Sequence, residues 1–208
     1  MRIQSDFEEQ LNVVTHAIGA LLGITGLVLL IVFNSHKSDW SLFSVIVYGV
    51  SIFVLFTAST LYHYVKNETR KHYFRILDHI SIYILIAGTY TPVLLIALED
   101  SLGWPLFWVV WSIALFGVIL KLFFTGRFEI FSVLLYLAMG WLVVFDFHHL
   151  TEVIGSHGIL FLFAGGLAYT GGIIFYAIDR IPYNHVIWHL FVLAGAIFHF
   201  FMVFGYIV

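Results

Sequence analysis

Five side chains that could do chemistry lie near the ends of three apolar segments. Ser59 and His63 are four residues apart in S-T-L-Y-H, and His185 and His189 have the same spacing in N-H-V-I-W-H. Residues at i and i+4 share one face of an α-helix, so each pair presents its side chains to one point. Asp78 lies in R-I-L-D-H-I, at the start of the third segment. Three histidines from two helices can form a zinc site with an open fourth position.

The chemistry that such a site supports is hydrolysis. Zinc with three protein ligands lowers the pKa of its bound water to about 7. Asp78 could then act as general base, and Ser59 could orient the water or the carboxylate. We predict His63, His185 and His189 as the zinc ligands. Two alternatives stay open: the histidine pair is a polar anchor at a membrane interface, or Asp78 is a fourth ligand to a structural zinc.

Two further histidines are predicted to lie outside this ligand set. His79 is about 100° around the helix from Asp78, and we interpret it as an interface or second-layer residue that faces elsewhere. His199 comes ten residues after His189, about 15 Å deeper along the helix. It therefore cannot bind the same metal, and it is either buried and hydrogen-bonded or part of a polar path.

A polar stripe precedes the first apolar run. Glu9, Asn12 and His16 recur at three- and four-residue steps in E-Q-L-N-V-V-T-H, so they share one helical face. We interpret this stripe as a polar seal at the inner mouth rather than His16 as a direct ligand. On the other side of the membrane we expect a solvated loop that contains Asp146, His148, His149, Glu152 and His157.

The composition requires a membrane around these segments. The 208 residues are 62% hydrophobic and 10% charged, whereas an average soluble domain has about 25% charged residues. A chain of this size cannot hide so much apolar surface from water, so its boundary must face lipid. It has no cysteine, which excludes a disulfide framework and leaves histidine or carboxylate as ligands for a soft metal.

Seven apolar runs are long enough to cross a bilayer, which takes about 20 helical residues. The expected class is all-α, a seven-transmembrane helix bundle in a single domain, 1–208, because lipid-exposed backbone of this kind must be helical. Pro92 has no N–H to donate and should kink the third helix. The approximate spans are 13–33, 42–64, 76–98, 104–124, 130–149, 157–178 and 186–207.

The distribution of basic residues predicts the orientation. With alternating crossings, one side holds eight Lys and Arg residues and the other holds only Lys37. Cytoplasmic loops carry the excess of positive charge, so we expect a cytoplasmic N-terminus and an outside C-terminus. This topology gathers the candidate site near the cytoplasmic face. The eight residues are Arg2, Lys66, Arg70, Lys71, Arg75, Lys121, Arg127 and Arg180.

Four motifs carry a resemblance to a known family over essentially the whole chain. They are N-V-V-T-H-A-I-G-A at 12–20, S-T-L-Y-H at 59–63, F-R-I-L-D-H-I-S-I-Y-I-L-I-A-G-T-Y-T-P at 74–92 and H-V-I-W-H-L-F-V-L-A-G-A-I-F-H-F at 185–200. In this order they resemble the hemolysin III family of bacterial membrane proteins, the prokaryotic branch of the progestin and adipoQ receptor superfamily. The resemblance implies seven helices and a zinc ion on His63, His185 and His189, with Asp78 and Ser59 beside the zinc-bound water.

The same resemblance implies more than one function. The superfamily is similar to alkaline ceramidases, which suggests hydrolysis of a lipid amide or ester at the inner leaflet. Hemolysin III proteins are named for red-cell lysis by pore formation, and a third alternative is a non-catalytic sensor of membrane state with structural zinc. We expect a membrane lipid as partner and a bacterial inner membrane as location. The spread charge and short loops predict neither nucleic acid nor a soluble protein hormone as partner, and they leave the oligomeric state open.

Overall fold

The computed structural model describes residues 4–208, and these residues are all-helical. The predicted all-α class is therefore confirmed. Two π-helices, Val93–Ala97 and Val203–Ile207, extend α3 and α7, and a 3-10 helix, Leu142–Asp146, lies between α5 and α6. The α-helices are α1 (Asp6–Val32), α2 (Ser41–Tyr64), α3 (Glu68–Pro92), α4 (Gly103–Phe124), α5 (Glu129–Gly140), α6 (Phe147–Ala177) and α7 (Asn184–Met202).

Six helical stretches of the described residues are long and apolar enough to cross a membrane. The chain is thus a multi-pass membrane protein by length and composition. The predicted fifth and sixth spans fall together in one stretch of 49 residues, Glu129–Ala177, so the count of seven stays a prediction here. That stretch is not straight, because the 3-10 helix interrupts it and Gly155 has φ 63° and ψ −179° inside α6. This conformation is outside the helical region and is open mainly to glycine.

Local capping fixes where α1 and α3 begin. Ser5 and Glu8 form a capping box at the start of α1, in which the Ser5 N–H donates to Glu8 Oε2 at 2.9 Å and the Glu8 N–H donates to Ser5 Oγ at 3.3 Å. Asn67 caps α3 by accepting from the Arg70 N–H at 3.1 Å. Such caps satisfy amide groups that have no partner inside the helix. They set the rotational register of the polar residues in the following turns.

Pro92 ends the α-helical part of α3. Its ring carries no N–H, and the five residues that follow form the π-helix Val93–Ala97. The structure therefore shows a change of helix type directly after Pro92, and the kink predicted there stays a prediction. In a π-helix the N–H bonds the carbonyl five residues earlier, as the Leu98 N–H does to the Val93 carbonyl at 3.0 Å.

The helices pack around α3, the most enclosed helix of the bundle. Large side chains such as Tyr48, Phe56 and Tyr83 are almost fully buried there. Close approach depends on small residues: a Cβ added at Gly19 of α1 would lie 2.4 Å from the ring of Phe56 on α2. Without a hydrophobic drive between helices in lipid, such fitted contacts are what hold the helices together.

Side-chain contacts define two ends of the bundle. At the first, which we call the histidine end, Lys71 of α3 donates to Glu9 of α1 at 2.7 Å, and Lys121 of α4 donates to Glu129 of α5 at 2.9 Å. At the opposite end, the Ser38 hydroxyl donates to the Leu95 carbonyl at 3.0 Å. There too, the Leu102 N–H donates to Asp146 at 3.0 Å. Of the eight basic residues predicted on one side, Arg2 lies outside the described residues.

Candidate metal centre

The structure brings the three predicted metal ligands together at the histidine end. His63 is in the last turn of α2, and His185 and His189 are in the first two turns of α7. One ring nitrogen of each lies within 4.8 Å of one from each of the other two. The ring centroids are 5.1 Å apart for His63 and His185, 4.9 Å for His63 and His189, and 4.6 Å for His185 and His189. Among the described residues, this group has the geometry to hold a metal ion.

The donor atoms of this group fit a metal. His63 Nε2, His185 Nε2 and His189 Nδ1 are buried and accept or donate no hydrogen bond within residues 4–208. A buried polar atom without a partner costs about 1–3 kcal/mol, so three such atoms in three neighbouring rings are unfavourable unless something binds them. Imidazole nitrogen suits Zn²⁺, Cu²⁺, Fe²⁺ and Ni²⁺. The geometry therefore supports a metal site and leaves the choice among these ions open.

Glu9 is a site residue that the sequence analysis did not identify. Its Oε2 lies 2.5 Å from His63 Nδ1, and its Oε1 accepts from Lys71 at 2.7 Å. The sequence did show that Glu9 shares a face with Asn12 and His16, but it could not show that this face packs on α2 and α7. The α1 stripe lines the histidine cluster.

His16 stacks on the ring of His189. The centroids are 3.6 Å apart with an interplanar angle of 14°, and the residue is buried. Neither ring nitrogen of His16 has a hydrogen-bond partner among the described residues. His16 is not one of the three residues whose nitrogens converge. It therefore belongs to the wall of the site, closer to the centre than a seal at the mouth would be.

Ser59 and Asp78 line one small cavity together with His185 and His189, which we call the polar cavity. Its volume is about 40 Å³, enough to hold water. Ser59 Oγ is buried and has no hydrogen-bond partner within residues 4–208. The Asp78 side chain is mostly buried, and its Oδ2 lies 3.9 Å from His79 Nδ1. The structure thus brings together the residues for which catalytic roles were predicted, and the roles themselves stay predictions.

His79 also lines the polar cavity, although the sequence analysis expected it to face elsewhere. Its Nδ1 is 2.7 Å from the Arg75 carbonyl, and its Nε2 is 4.0 Å from Glu129. Glu129 in turn accepts from Lys121, whose side chain is 0% exposed. His79 is therefore placed between the polar cavity and a charged cluster that joins α3, α4 and α5.

A larger cavity adjoins the polar cavity inside the bundle. Its volume is about 130 Å³, its walls come mainly from α3, α5, α6 and α7, and they are almost entirely apolar. We call it the apolar cavity. His199 is half-buried in its wall, with Nε2 3.2 Å from the Leu162 carbonyl. This contact agrees with the hydrogen-bonded alternative of the sequence analysis, and the polar path stays a prediction. The two cavities share the side chains of Leu55, Ile82, Tyr176, Trp188 and Val192.

The sequence analysis expected the acidic and histidine-rich cluster at 146–157 to lie in a loop. The structure places it in helices instead. Asp146 ends the 3-10 helix and the other members lie in α6. The Asp146 carboxylate accepts the Leu102 N–H at 3.0 Å and so ties α4 to this region. Its neighbours His148 and Glu152 are 3.5 Å apart and solvated. Within α6, only Gly155 departs from helical backbone angles, and the residues on both sides of it are helical.

Comparisons with known proteins find similar sequences over nearly the whole chain. A family model described as "Haemolysin-III related" matches residues 5–200. The chain is 46% identical to Hemolysin-3 of Bacillus cereus over 201 residues, covering 96% of this chain and 92% of that protein. It is 45% identical to the Hemolysin-3 homolog of Bacillus subtilis (strain 168), covering 97% and 95%. It is also 32% identical to the human monocyte to macrophage differentiation factor, covering 97% and 85%.

Proposed function

This chain belongs to the haemolysin III-related family, and from that premise we propose that it is a zinc-dependent hydrolase of membrane lipids. The observation that carries the proposal is the pairing of two cavities. One holds unpartnered histidine nitrogens beside Ser59 and Asp78, and the other is apolar and shares a wall with it. A lipid has both a polar linkage and an apolar chain, so one molecule could fill both.

The contacts at the two ends support seven membrane crossings by one domain. Glu129 contacts Lys121 at the histidine end, and Asp146 contacts Leu102 at the opposite end. His185 is again at the histidine end. These contacts support one crossing between 129 and 146 and a second before 185. A straight helix of 49 residues would extend about 70 Å, more than twice the hydrocarbon thickness of about 30 Å, which is why we infer a reversal near Gly155.

The excess of Lys and Arg supports a cytoplasmic location for the histidine end. Lys66, Lys71 and Lys121 belong to this end, whereas Lys37 lies at the opposite end, where it donates to the Ile207 carbonyl at 3.1 Å. Positive charge favours the cytoplasmic side. The proposed reaction thus takes place near the inner leaflet, in the cytoplasmic membrane of a bacterium.

His63, His185 and His189 would hold the zinc ion. Zinc there would polarise the substrate carbonyl and activate a water molecule. Asp78 would accept a proton in the polar cavity, because it lines the same space as His185 and His189, and it would return that proton to the leaving group. Ser59 Oγ, which has no protein partner in residues 4–208, is free to orient a water molecule or the Asp78 carboxylate.

The apolar cavity would bind the acyl chain and exclude water. Tyr176 and Trp188 stand in the shared wall between the two cavities, so they would lie beside the bond that is cleaved. A lipid chain that enters from the bilayer gains little hydrophobic free energy on transfer, because the membrane interior is as apolar as the cavity, so the fit of the chain to the cavity walls would select the substrate. The proposed substrate class is therefore an amide or ester of a long-chain fatty acid.

Two other functions make different predictions. The bacterial relatives are called hemolysins, which favours membrane lysis as the second candidate; it predicts conductance across liposomes. A metal that only joins α2 to α7 predicts that removing it lowers thermal stability while no lipid is hydrolysed. Neither of these two functions needs the open fourth ligand position on zinc that the sequence analysis predicts.

The test is metal analysis and lipid hydrolysis on the purified, reconstituted protein. We expect about one zinc per chain and release of fatty acid from an amide or ester lipid, with both lost in His63→Ala. His148→Ala is the matched control, because His148 is a solvated histidine at the opposite end. Protein that contains no stoichiometric metal, or that binds zinc but cleaves no member of a broad lipid panel, would contradict the proposal.

A further inference from the structure

Glu9 bridges two helices at the candidate metal centre. From α1 it reaches His63 on α2 with Oε2, at 2.5 Å from Nδ1, and Lys71 on α3 with Oε1, at 2.7 Å from Nζ. Each carboxylate oxygen thus has its own partner. The His63 side chain is nearly fully buried, and those of Glu9 and Lys71 are each 25% exposed. The three residues form a chain of contacts from the loop side into the histidine cluster.

The contact with Glu9 determines which nitrogen of His63 is available. A carboxylate paired with lysine can only accept hydrogen bonds, so the His63 Nδ1–H must donate to Glu9 Oε2. The proton of the neutral ring is then on Nδ1, and the lone pair is on Nε2. Nε2 is the buried atom that has no partner among residues 4–208. The ring is therefore fixed in both tautomer and direction.

A second pair of a carboxylate and a lysine near the histidine end is a surface contact, and it serves as a comparison for the pair of Glu9 and Lys71. Asp6 Oδ1 and Lys66 Nζ are 3.8 Å apart, and their side chains are 91% and 90% exposed. Such a pair has little energetic effect because water screens it. The Glu9 pair differs because it is shorter, more enclosed and in contact with a buried imidazole.

We infer that Glu9 is a positioning residue that fixes His63 for metal binding, and that Lys71 holds the Glu9 carboxylate in place. A carboxylate on the second nitrogen of a ligating histidine orients the ring and raises its basicity, and loss of such a partner lowers metal affinity about 10- to 100-fold. This inference rests on the metal centre of the proposed function, and it does not depend on whether that centre hydrolyses a lipid.

The experiment measures metal binding to the full-length protein in detergent. Zn²⁺ affinity is obtained by competition with a chelator, and Co²⁺ is used as a spectroscopic probe of the ligand geometry. Glu9→Leu removes the acceptor, Glu9→Gln keeps an oxygen that accepts the bond but removes the charge, and Lys71→Met removes the tether. Asp6→Asn is the matched control, because it neutralises the exposed carboxylate at the start of the same helix.

We expect Zn²⁺ affinity to fall about 10- to 100-fold in Glu9→Leu, less in Glu9→Gln and Lys71→Met, and not at all in Asp6→Asn. The Co²⁺ absorption bands should shift in Glu9→Leu, which a purely structural role of Glu9 would not cause. If Glu9→Leu does not fold, the graded losses in the near-isosteric Glu9→Gln and in Lys71→Met carry the test. Affinities and spectra equal to those of Asp6→Asn would overturn the inference, and wild-type protein that binds no metal would overturn the metal centre as well.

Discussion

At the scale of single residues, the site separates side chains that could bind a metal from side chains that could move a proton. One ring nitrogen from each of His63, His185 and His189 comes close to those of the other two. Among the described residues, the closest recorded contact of the Asp78 carboxylate with a ring nitrogen is 3.9 Å, to His79 Nδ1. Asp78 shares the polar cavity with Ser59. This separation allows the two roles to be tested independently.

Asp78→Asn should abolish hydrolysis and leave the metal in place. The amide keeps the size of the carboxylate but cannot take up a proton, so the rate should fall about 10²- to 10⁴-fold. Zinc content by elemental analysis and fatty-acid release on the same preparation separate the two effects. Loss of zinc in Asp78→Asn would instead identify Asp78 as a fourth ligand and favour a structural metal.

His16→Phe should retain one metal per chain. The His16 ring is nearly parallel to that of His189 at 3.6 Å, and an imidazole binds metal through its in-plane lone pair at about 2.0–2.1 Å. Two stacked rings cannot both direct their lone pairs at one ion, so His16 should be dispensable as a ligand. Phenylalanine preserves the stacking. His189→Phe is the opposite control and should lose the metal; a metal-free His16→Phe would make His16 a ligand.

At the scale of helices, the sequence was enough to predict which three histidines come together and not enough to predict what surrounds them. Spacing along α7 places His185 and His189 on one face, and the order of the spans places His63 at the same end of the bundle; that they bind a metal stays a prediction. The contact of Glu9 with His63 depends on how α1 packs across α2, and no local pattern encodes that packing. The apolar cavity was hidden for the same reason, since its walls come from four helices.

Glycines in the wall of the apolar cavity offer a way to fill it. Gly140 of α5 and Gly166 of α6 line that cavity, and a side chain at either position would meet open space. Gly140→Leu and Gly166→Leu should therefore fold but should reduce hydrolysis of long-chain substrates at least about 10-fold relative to short-chain ones. Gly205→Leu is the control, because that site is equally open and lies outside the cavity.

Competition between long- and short-chain lipids in one assay gives the ratio directly. An unchanged chain-length preference in both cavity variants, at normal thermal stability, would mean that the acyl chain does not occupy this cavity.

The pair of Lys121 and Glu129 should hold the start of α5 against α3 and α4. Lys121 is fully buried and donates to Glu129 at 2.9 Å. Glu129→Gln leaves the Lys121 charge buried without a carboxylate. In a fully buried pair this lowers the free energy of unfolding by about 3–5 kcal/mol. Because Glu129 is partly exposed, we expect a loss in the lower part of that range. Lys121→Met combined with Glu129→Gln should recover part of the loss. Denaturant unfolding in detergent measures the free energy of unfolding of each variant. Glu152→Gln is the neutral control, because Glu152 is exposed at the opposite end.

At the scale of the whole molecule, hydropathy and charge predicted a multi-pass helical protein, and they had less to say about 129–177. The predicted spans 130–149 and 157–178 are separated by only a few residues, and the polar side chains between them looked like a loop. Residues such as His149 and Glu152 remain helical because their helical propensity is ordinary and neither side chain is buried. Hydropathy detects the length of apolar segments and does not detect a departure from helical backbone angles at one glycine, Gly155.

Thiol accessibility can decide the number of crossings, because the chain has no cysteine of its own. Single cysteines at Lys66, His148 and Arg180 would occupy exposed positions. With seven crossings and a cytoplasmic N-terminus, a membrane-impermeant reagent should label His148→Cys in intact spheroplasts and should label Lys66→Cys and Arg180→Cys only after permeabilisation. A single crossing between 129 and 177 would bury position 148 at mid-membrane and leave it unlabelled in both conditions. Labelling of 66 and 180 from outside would reverse the orientation and move the histidine cluster to the outer leaflet.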